Sequence, residues 1–155
     1  MISIIDGNLF ATDAPIIAHQ VNCMGKMGSG VAKQIKERFP HAYDVYMSSE
    51  MKLGQVVPAV CIDKYTGREV VIMHMFAQDK YGYDGREYTD LGALFACLFR
   101  LRISANELGD EFGYKKIAMP YKIGCGLGGG NWDEVYQLIK DIFDDTDIEI
   151  ELWRL

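Results

Sequence analysis

Four things are scarce in this chain of 155 residues: paired cysteines, clustered positive charge, long apolar runs and linker-like sequence. Cys23, Cys61, Cys97 and Cys125 stand far apart, with no Cys-x-x-Cys pair joined by His ligands. That spacing argues against a zinc site and a disulfide framework, and it fits a reduced cytoplasm. The 16 Lys and Arg residues are outnumbered by 22 Asp and Glu, for a formal net charge of −6. A nucleic-acid backbone is held by clustered cations, so no nucleic-acid partner is expected, and only a local spot at Lys33, Lys36 and Arg38 is placed to touch a phosphate. No window approaches the ~20 apolar residues of a membrane span. The opening MISIIDGNLF has no charged region ahead of its apolar residues, so neither membrane insertion nor secretion is expected. With no repeats or low-complexity tracts, residues 1–155 read as one domain.

What is present is an alternation of strands and helices. ISIID and IIAHQVN are short β-rich runs, the second apolar enough to be buried inside a sheet. A helix beginning near Gly28 or Ser29 places Val31, Ile35 and Phe39 on one face and is stopped by Pro40. HAYDVYMSSEMK offers a second short helix. QVVPAVCID and REVVIMHMFA flank YTG, the pattern of two strands joined by a tight turn. The polar QDKYGYDGREYTD reads as a long loop, a class often functional in compact domains. A helix over about Thr89–Asn106 follows, then the strand KKIAMP. NWDEVYQLIKDIFDD begins with Asn131 as N-cap and Glu134 three residues on, with Val135, Leu138, Ile139, Ile142 and Phe143 as its buried stripe. DIEIELWRL alternates acidic and apolar residues, which suits an edge or half-covered strand. The sum is an α/β/α sandwich whose function lies in its loops.

Two of those loops are glycine-rich and join a strand to a helix. NCMGKMGSG lets backbone N–H groups approach a ligand without Cβ obstruction, and the helix start adds unpaired donors and partial positive charge. YKIGCGLGGGNW repeats the plan, and two such loops suggest a diphosphate. The competing reading is that the glycines only make tight turns. A nucleoside-triphosphatase loop is excluded, because Val31 and Ala32 stand where Lys and Ser or Thr are needed after Gly25-x4-Gly30. Cys125 is not a phosphatase nucleophile, since Asn131 occupies the position of the required Arg, and both Cys125 and Cys23 read as space-filling thiols. Gly124-x-Gly126-x-x-Gly129 matches a dinucleotide fingerprint, yet too little chain follows to build a Rossmann half.

Together the stretches DGNLF, HQVNCMGKMGSGVAKQI, MPYKIGCGLGGGNWDEV and DTDIEIELWRL resemble the macrodomain family of ADP-ribose-binding modules, and MFAQDKYGYDGREYTD is similar to small bacterial and phage members. The resemblance covers nearly the whole chain. It implies a three-layer α/β/α sandwich with a mixed central sheet, and it looks nearest the branch that holds terminal ADP-ribose glycohydrolases and ADP-ribose-1''-phosphate phosphatases. By position, the resemblance assigns Asn8 to the adenine amino group, Leu9 to the adenine face and Asn22 to the distal ribose. It assigns Gly28, Ser29, Gly30 and Val31 to the first diphosphate loop, and Lys122, Ile123, Gly124, Cys125, Gly126, Leu127, Gly128 and Gly129 to the second.

Catalysis departs from part of that pattern. Where the glycohydrolase branch carries a Lys and an Asp, this chain has Gln78 and Gly128, with Lys80 two residues away as a substitute amine. The phosphatase branch resembles this chain in having a His in the strand before the Asn-Cys loop, here His19, which can act as base or phosphate donor. His19 equally suits a hydrogen-bonded core residue. Asp79, Asp84 and Asp90 are further candidates to activate water or are simply solvated, His41 and His74 read as structural or exposed, and Tyr81, Tyr83 and Tyr88 either cover the ligand or pack on their own domain. The leading expectation is binding of ADP-ribose and hydrolysis of ADP-ribose-1''-phosphate without a cofactor or metal. The alternatives are a non-catalytic binder of ADP-ribose or a related nucleotide, and an ADP-ribosyl glycohydrolase with rearranged catalytic groups.

Overall fold

The computed structural model describes residues 1–155. Its strands are β1 (Ile2–Asp6), β2 (Ile16–Asn22), β3 (Val56–Ile62), β4 (Glu69–Gln78), β5 (Lys116–Pro120) and β6 (Glu149–Arg154). Its helices are α1 (Gly30–Arg38), α2 (Pro40–Ser48), α3 (Leu91–Phe112) and α4 (Trp132–Phe143), with a single 3-10 turn at Leu9–Ala11. The six strands form one sheet in the order β1-β6-β5-β2-β4-β3. All neighbours are parallel except β3 and β4, so the sheet is mixed.

Helices cover both faces. On one, Leu94, Leu98 and Leu101 of α3 and Val135, Ile139 and Phe143 of α4 pack on Ile16, Met73, Met75, Ile117 and Leu152. On the other, Ile35 and Phe39 at α1 and Ala42 and Tyr46 of α2 pack on Ile17, Val21, Ile72 and Phe76. β2 and β4 are buried on both sides, which is why IIAHQVN and VVIMHMFA read as nearly continuous apolar runs rather than alternations. No helix is long and apolar enough to cross a membrane.

Several local expectations are refined. Pro40 does end α1, but it also opens α2 as its first residue, where a missing N–H costs nothing. The β3–β4 connection is longer than YTG: Asp63 N–H donates to the Arg68 carbonyl, enclosing Lys64–Gly67. α3 starts at Leu91, capped by the Asp90 side chain, and runs past Asn106 to Phe112 before Gly113 ends it at φ +83°. Gly109 stays inside that helix because a Cβ there would stand 2.2 Å from Cγ of Lys115. β6 is not an edge strand but lies between β1 and β5; its alternation reflects half-coverage, with Ile150 and Leu152 buried and Glu149 exposed.

Candidate functional site

The chain leaves β2 through α1 and α2 toward β3 and β4 on one side, and leaves β5 through α4 toward β6 on the other. Adjacent parallel strands whose connections diverge in this way open a crevice at their carboxyl ends, the usual ligand position in open α/β sheets. Here β2 and β5 pair only at Ile16–Ile117 and Ile17–Ala118 and then separate. Both glycine loops, together with the loop after β4, border the space between them.

That space is a cavity of about 490 Å³, within the range of small-molecule sites. Gly28, Ser29, Gly30 and Val31 line it from the first loop, and Lys122, Ile123, Gly124, Gly126, Leu127 and Gly128 from the second. His19, Gln20, Asn22, Gln78, Tyr81 and Tyr83 also border it. Asn8, Leu9, Cys125 and Gly129 do not. Asn8 caps the 3-10 turn by accepting from the Phe10 N–H at 2.9 Å, and Leu9 is buried in the core beneath it. Cys125 packs against the α3–α4 core, and burial pushes its thiol, like that of Cys23, above its ordinary pKa, in keeping with space-filling roles.

The charge of the lining is one-sided. In a chain with a net charge of −6, the charged side chains bordering the cavity are Lys26, Lys36 and Lys122, with no carboxylate among them. None of the three lysines is ion-paired elsewhere, although Lys36 Nζ lies 4.2 Å above the ring of Tyr43. The adjoining start of α1 is equally receptive to an anion: its N-cap Ser29 makes no side-chain cap bond and its first turn holds no acidic residue. The start of α4 is already satisfied, with Asn131 accepting from the Glu134 N–H at 3.2 Å and Asp133 and Glu134 in the first turn. The two loops that look alike in sequence therefore differ, and only the first leads into a helix start with no side-chain cap and no acidic residue.

The glycines divide into two kinds. A Cβ on Gly28, Gly30 or Gly126 would meet nothing within 4 Å, so these three keep the cavity open. A Cβ on Gly128 would stand 2.6 Å from Thr89 Oγ1 and one on Gly129 2.4 Å from the Arg86 carbonyl, so these two admit the neighbouring loop. That loop is held by hydrogen bonds. Gln20 Nε2 donates to Gln78 Oε1 at 2.9 Å and Thr89 Oγ1 at 2.8 Å, and the Tyr88 and Thr89 N–H groups both donate to the Gly128 carbonyl at 2.7 and 2.9 Å. Gln78 Nε2 in turn donates to the Lys80 carbonyl at 2.9 Å.

Asn22 shapes the first loop. Its Nδ2 donates to the Lys26 carbonyl at 2.9 Å, and its Oδ1 accepts from the Met24 N–H and the Tyr46 hydroxyl, each at 3.0 Å. Burial pushes the Tyr46 phenol up to about 12. His19 is 1% exposed and stands beside the equally buried His74, with Nε2 of His19 2.7 Å from Nδ1 of His74. His74 Nε2 lies 2.8 Å from the Ala42 carbonyl. Burial lowers His74 to about 4 and takes His19 well below its ordinary value, with His74 adding to the effect on His19, so both rings are neutral near pH 7.

The remaining candidates fall away from the cavity. Lys80, Asp79, Asp84 and Asp90 do not line it; Asp90 caps α3 and Asp84 accepts from the Tyr88 hydroxyl at 2.7 Å. Tyr81 and Tyr83 do line it, their rings edge to face at 6.3 Å, whereas Tyr88 does not. His41 is exposed and His74 buried. Sequence reasoning missed Gln20, Thr89, Tyr46 and the lining roles of Lys26 and Tyr43. The one available signal was a run of polar residues, His19, Gln20 and Asn22, inside a strand otherwise apolar enough for a core.

Comparison with known proteins agrees with this architecture. The family model described as "Macro domain" matches residues 18–139. Human "ADP-ribose glycohydrolase OARD1" is 28% identical over 99% of this chain and 91% of its own length. The "ADP-ribose 1''-phosphate phosphatase" of Saccharomyces cerevisiae is 26% identical over 96% of this chain and 97% of its own. Among solved structures, the macrodomain of Mycobacterium tuberculosis DarG superposes with a TM-score of 0.80 at 24% identity, covering 100% of this chain and 98% of that one.

Proposed function

Because the chain belongs to the Macro domain family, we propose that its cavity binds ADP-ribose and that the protein hydrolyses ADP-ribose-1''-phosphate to ADP-ribose and phosphate. The observation that carries the binding half is the lining: three lysines, no carboxylate, an uncapped helix start and glycines that hold the space open. A diphosphate is the group this arrangement favours, since backbone N–H groups, the helix dipole and ammonium charges all act on it together. In this reading Asn22 borders the distal ribose and the second loop closes over the diphosphate through Lys122–Gly124 and Gly126–Gly128, while Asn8 and Leu9, which stand off the cavity, carry no ligand contact.

The hydrolytic half rests on His19, the bordering group able to act as a general base at neutral pH. Once ligand binding uncovers His19 Nδ1, water attacks phosphorus as its proton passes to that atom; the bond from phosphorus to the anomeric oxygen breaks, and that oxygen recovers a proton from the imidazolium. Both named relatives are hydrolases of ADP-ribose compounds by title. A glycohydrolase reading is weaker, because the resemblance places an amine and a carboxylate where Gln78 and Gly128 stand, and Lys80 lies off the cavity.

A second reading, a binder without turnover, is favoured by one observation: His19 Nδ1 is covered by protein. Calorimetric titration of ADP-ribose, with ADP-ribose-1''-phosphate incubated in parallel and phosphate assayed, separates the readings. Binding with phosphate release that disappears in His19→Ala supports the enzyme. Binding with no release supports the reader, and absence of binding overturns both.

A further inference from the structure

The paired histidines specify more than a buried contact. The Ala42 carbonyl can only accept a hydrogen bond, so the His74 nitrogen 2.8 Å from it, Nε2, carries the proton. Both rings are buried and neither meets a carboxylate, so His74 is neutral and its Nδ1 has only a lone pair to offer. His19 Nε2, 2.7 Å away, must then be the donor, and the neutral His19 ring keeps a lone pair on Nδ1. That Nδ1 is a buried polar atom with no partner in the protein, on a residue that borders the cavity.

We propose that His74 is a positioning residue: anchored by the Ala42 carbonyl, it holds His19 in the Nε2–H tautomer, so that Nδ1, covered in the free protein, serves as a hydrogen-bond acceptor where ligand binding uncovers it. The group it pairs with is a hydroxyl or a water, and not a phosphate oxygen, which has no proton to give. This deepens the reading of the cavity as an ADP-ribose site and rests on it. Of the two roles open to His19 from sequence, base and phosphate donor, the geometry retains the first. The hydrogen bonds run in one direction, from His19 Nε2 to His74 Nδ1 and from His74 Nε2 to α2, so the tautomer of a ring at the cavity wall is set by a carbonyl in the helix behind it.

The test is the long-range proton–nitrogen NMR spectrum of the histidines in the full chain at pH 7, with His19→Ala and His74→Phe as assignment aids. The expected wild-type spectrum shows both His19 and His74 protonated at Nε2 and bare at Nδ1; a His19 protonated at Nδ1 overturns the proposal. In His74→Phe, His19 is expected to lose its single tautomer, and in His74→Asn, whose Oδ1 takes the place of Nδ1, to regain it. If His74→Phe does not fold, the wild-type spectrum still decides. Adding ADP-ribose is expected to shift the His19 Nδ1 resonance in the direction of an accepted hydrogen bond. An unmoved Nδ1 with calorimetrically demonstrated binding overturns the acceptor role, whereas absence of binding with the expected tautomers overturns the ligand reading and leaves the positioning by His74 standing.

Discussion

The hydroxyl of Thr89 donates to the carbonyl of Gly124 at 2.6 Å, tying the loop that follows β4 to the glycine loop that follows β5. Thr89 Oγ1 also receives a hydrogen from Gln20, so a single side chain joins three segments from different parts of the sequence at one wall of the cavity. The second glycine loop is therefore shaped from outside as well as by its own glycines.

Removing that hydroxyl while keeping the shape tests the tie. Thr89→Val leaves a Gln20 N–H without a partner and the Gly124 carbonyl with the Gly130 N–H as its remaining donor, and an unpartnered buried group costs about 1–3 kcal/mol. Urea denaturation is expected to show a loss of that order, together with weaker ADP-ribose binding. Unchanged stability would mean that water replaces the hydroxyl freely.

The division of the glycines predicts opposite behaviour from two neighbours. Gly126→Glu places its side chain in open space and is expected to fold with nearly unchanged melting temperature while losing ADP-ribose affinity by about 100-fold or more, since a like charge enters an anion site. Gly129→Ala meets the Arg86 carbonyl at φ +70° and is expected to destabilise the fold by roughly 1–3 kcal/mol. A Gly126→Glu protein that still binds at full affinity would refute the assignment of the loop.

The one-sided charge of the cavity predicts a salt dependence. Affinity for ADP-ribose is expected to fall as sodium chloride is raised, and Lys36→Met, which keeps the aliphatic stem beside Tyr43, is expected to weaken both the affinity and its dependence on salt. Calorimetry at several ionic strengths reads both. A Lys36→Met protein with wild-type affinity and salt slope would place the ligand away from α1.

Acid stability follows from the two histidines. His74 is lowered to about 4 in the folded chain against an ordinary value of 6.5, and His19 is lowered as well, so the unfolded chain binds more protons below pH 6.5. Stability is then complete above that pH and is lost as pH falls toward 4, with His74 alone accounting for about 2 kcal/mol between pH 7 and 5. Urea midpoints at pH 7, 6 and 5 check this, and a flat profile over that window would contradict the burial of the pair in neutral form.

Much of the architecture was legible because it rests on local chemistry. The apolar run of β2, the four-residue spacing of Val31, Ile35 and Phe39, and Asn131 ahead of Glu134 are patterns that a strand or helix imposes on its own residues. The glycine-rich junctions between strand and helix were legible for the same reason, whereas the missing cap bond at Ser29 emerges only from the structure. α3 was read too short because Glu107–Phe112 carries no change of pattern, and its end is marked only by the conformation of Gly113.

The sequence by itself determined the order of elements, the strand-to-helix junctions rich in glycine, and a resemblance in family that the domain match bears out. Only the tertiary structure decided which glycines keep the cavity open and which admit another loop, that every charged side chain at the cavity is a lysine, and that His74 is the partner of His19. The physical reason is register. His19 faces His74 because β2 and β4 pair with those two residues in line, and that alignment comes from burying both faces of the sheet at once, a condition no single segment contains.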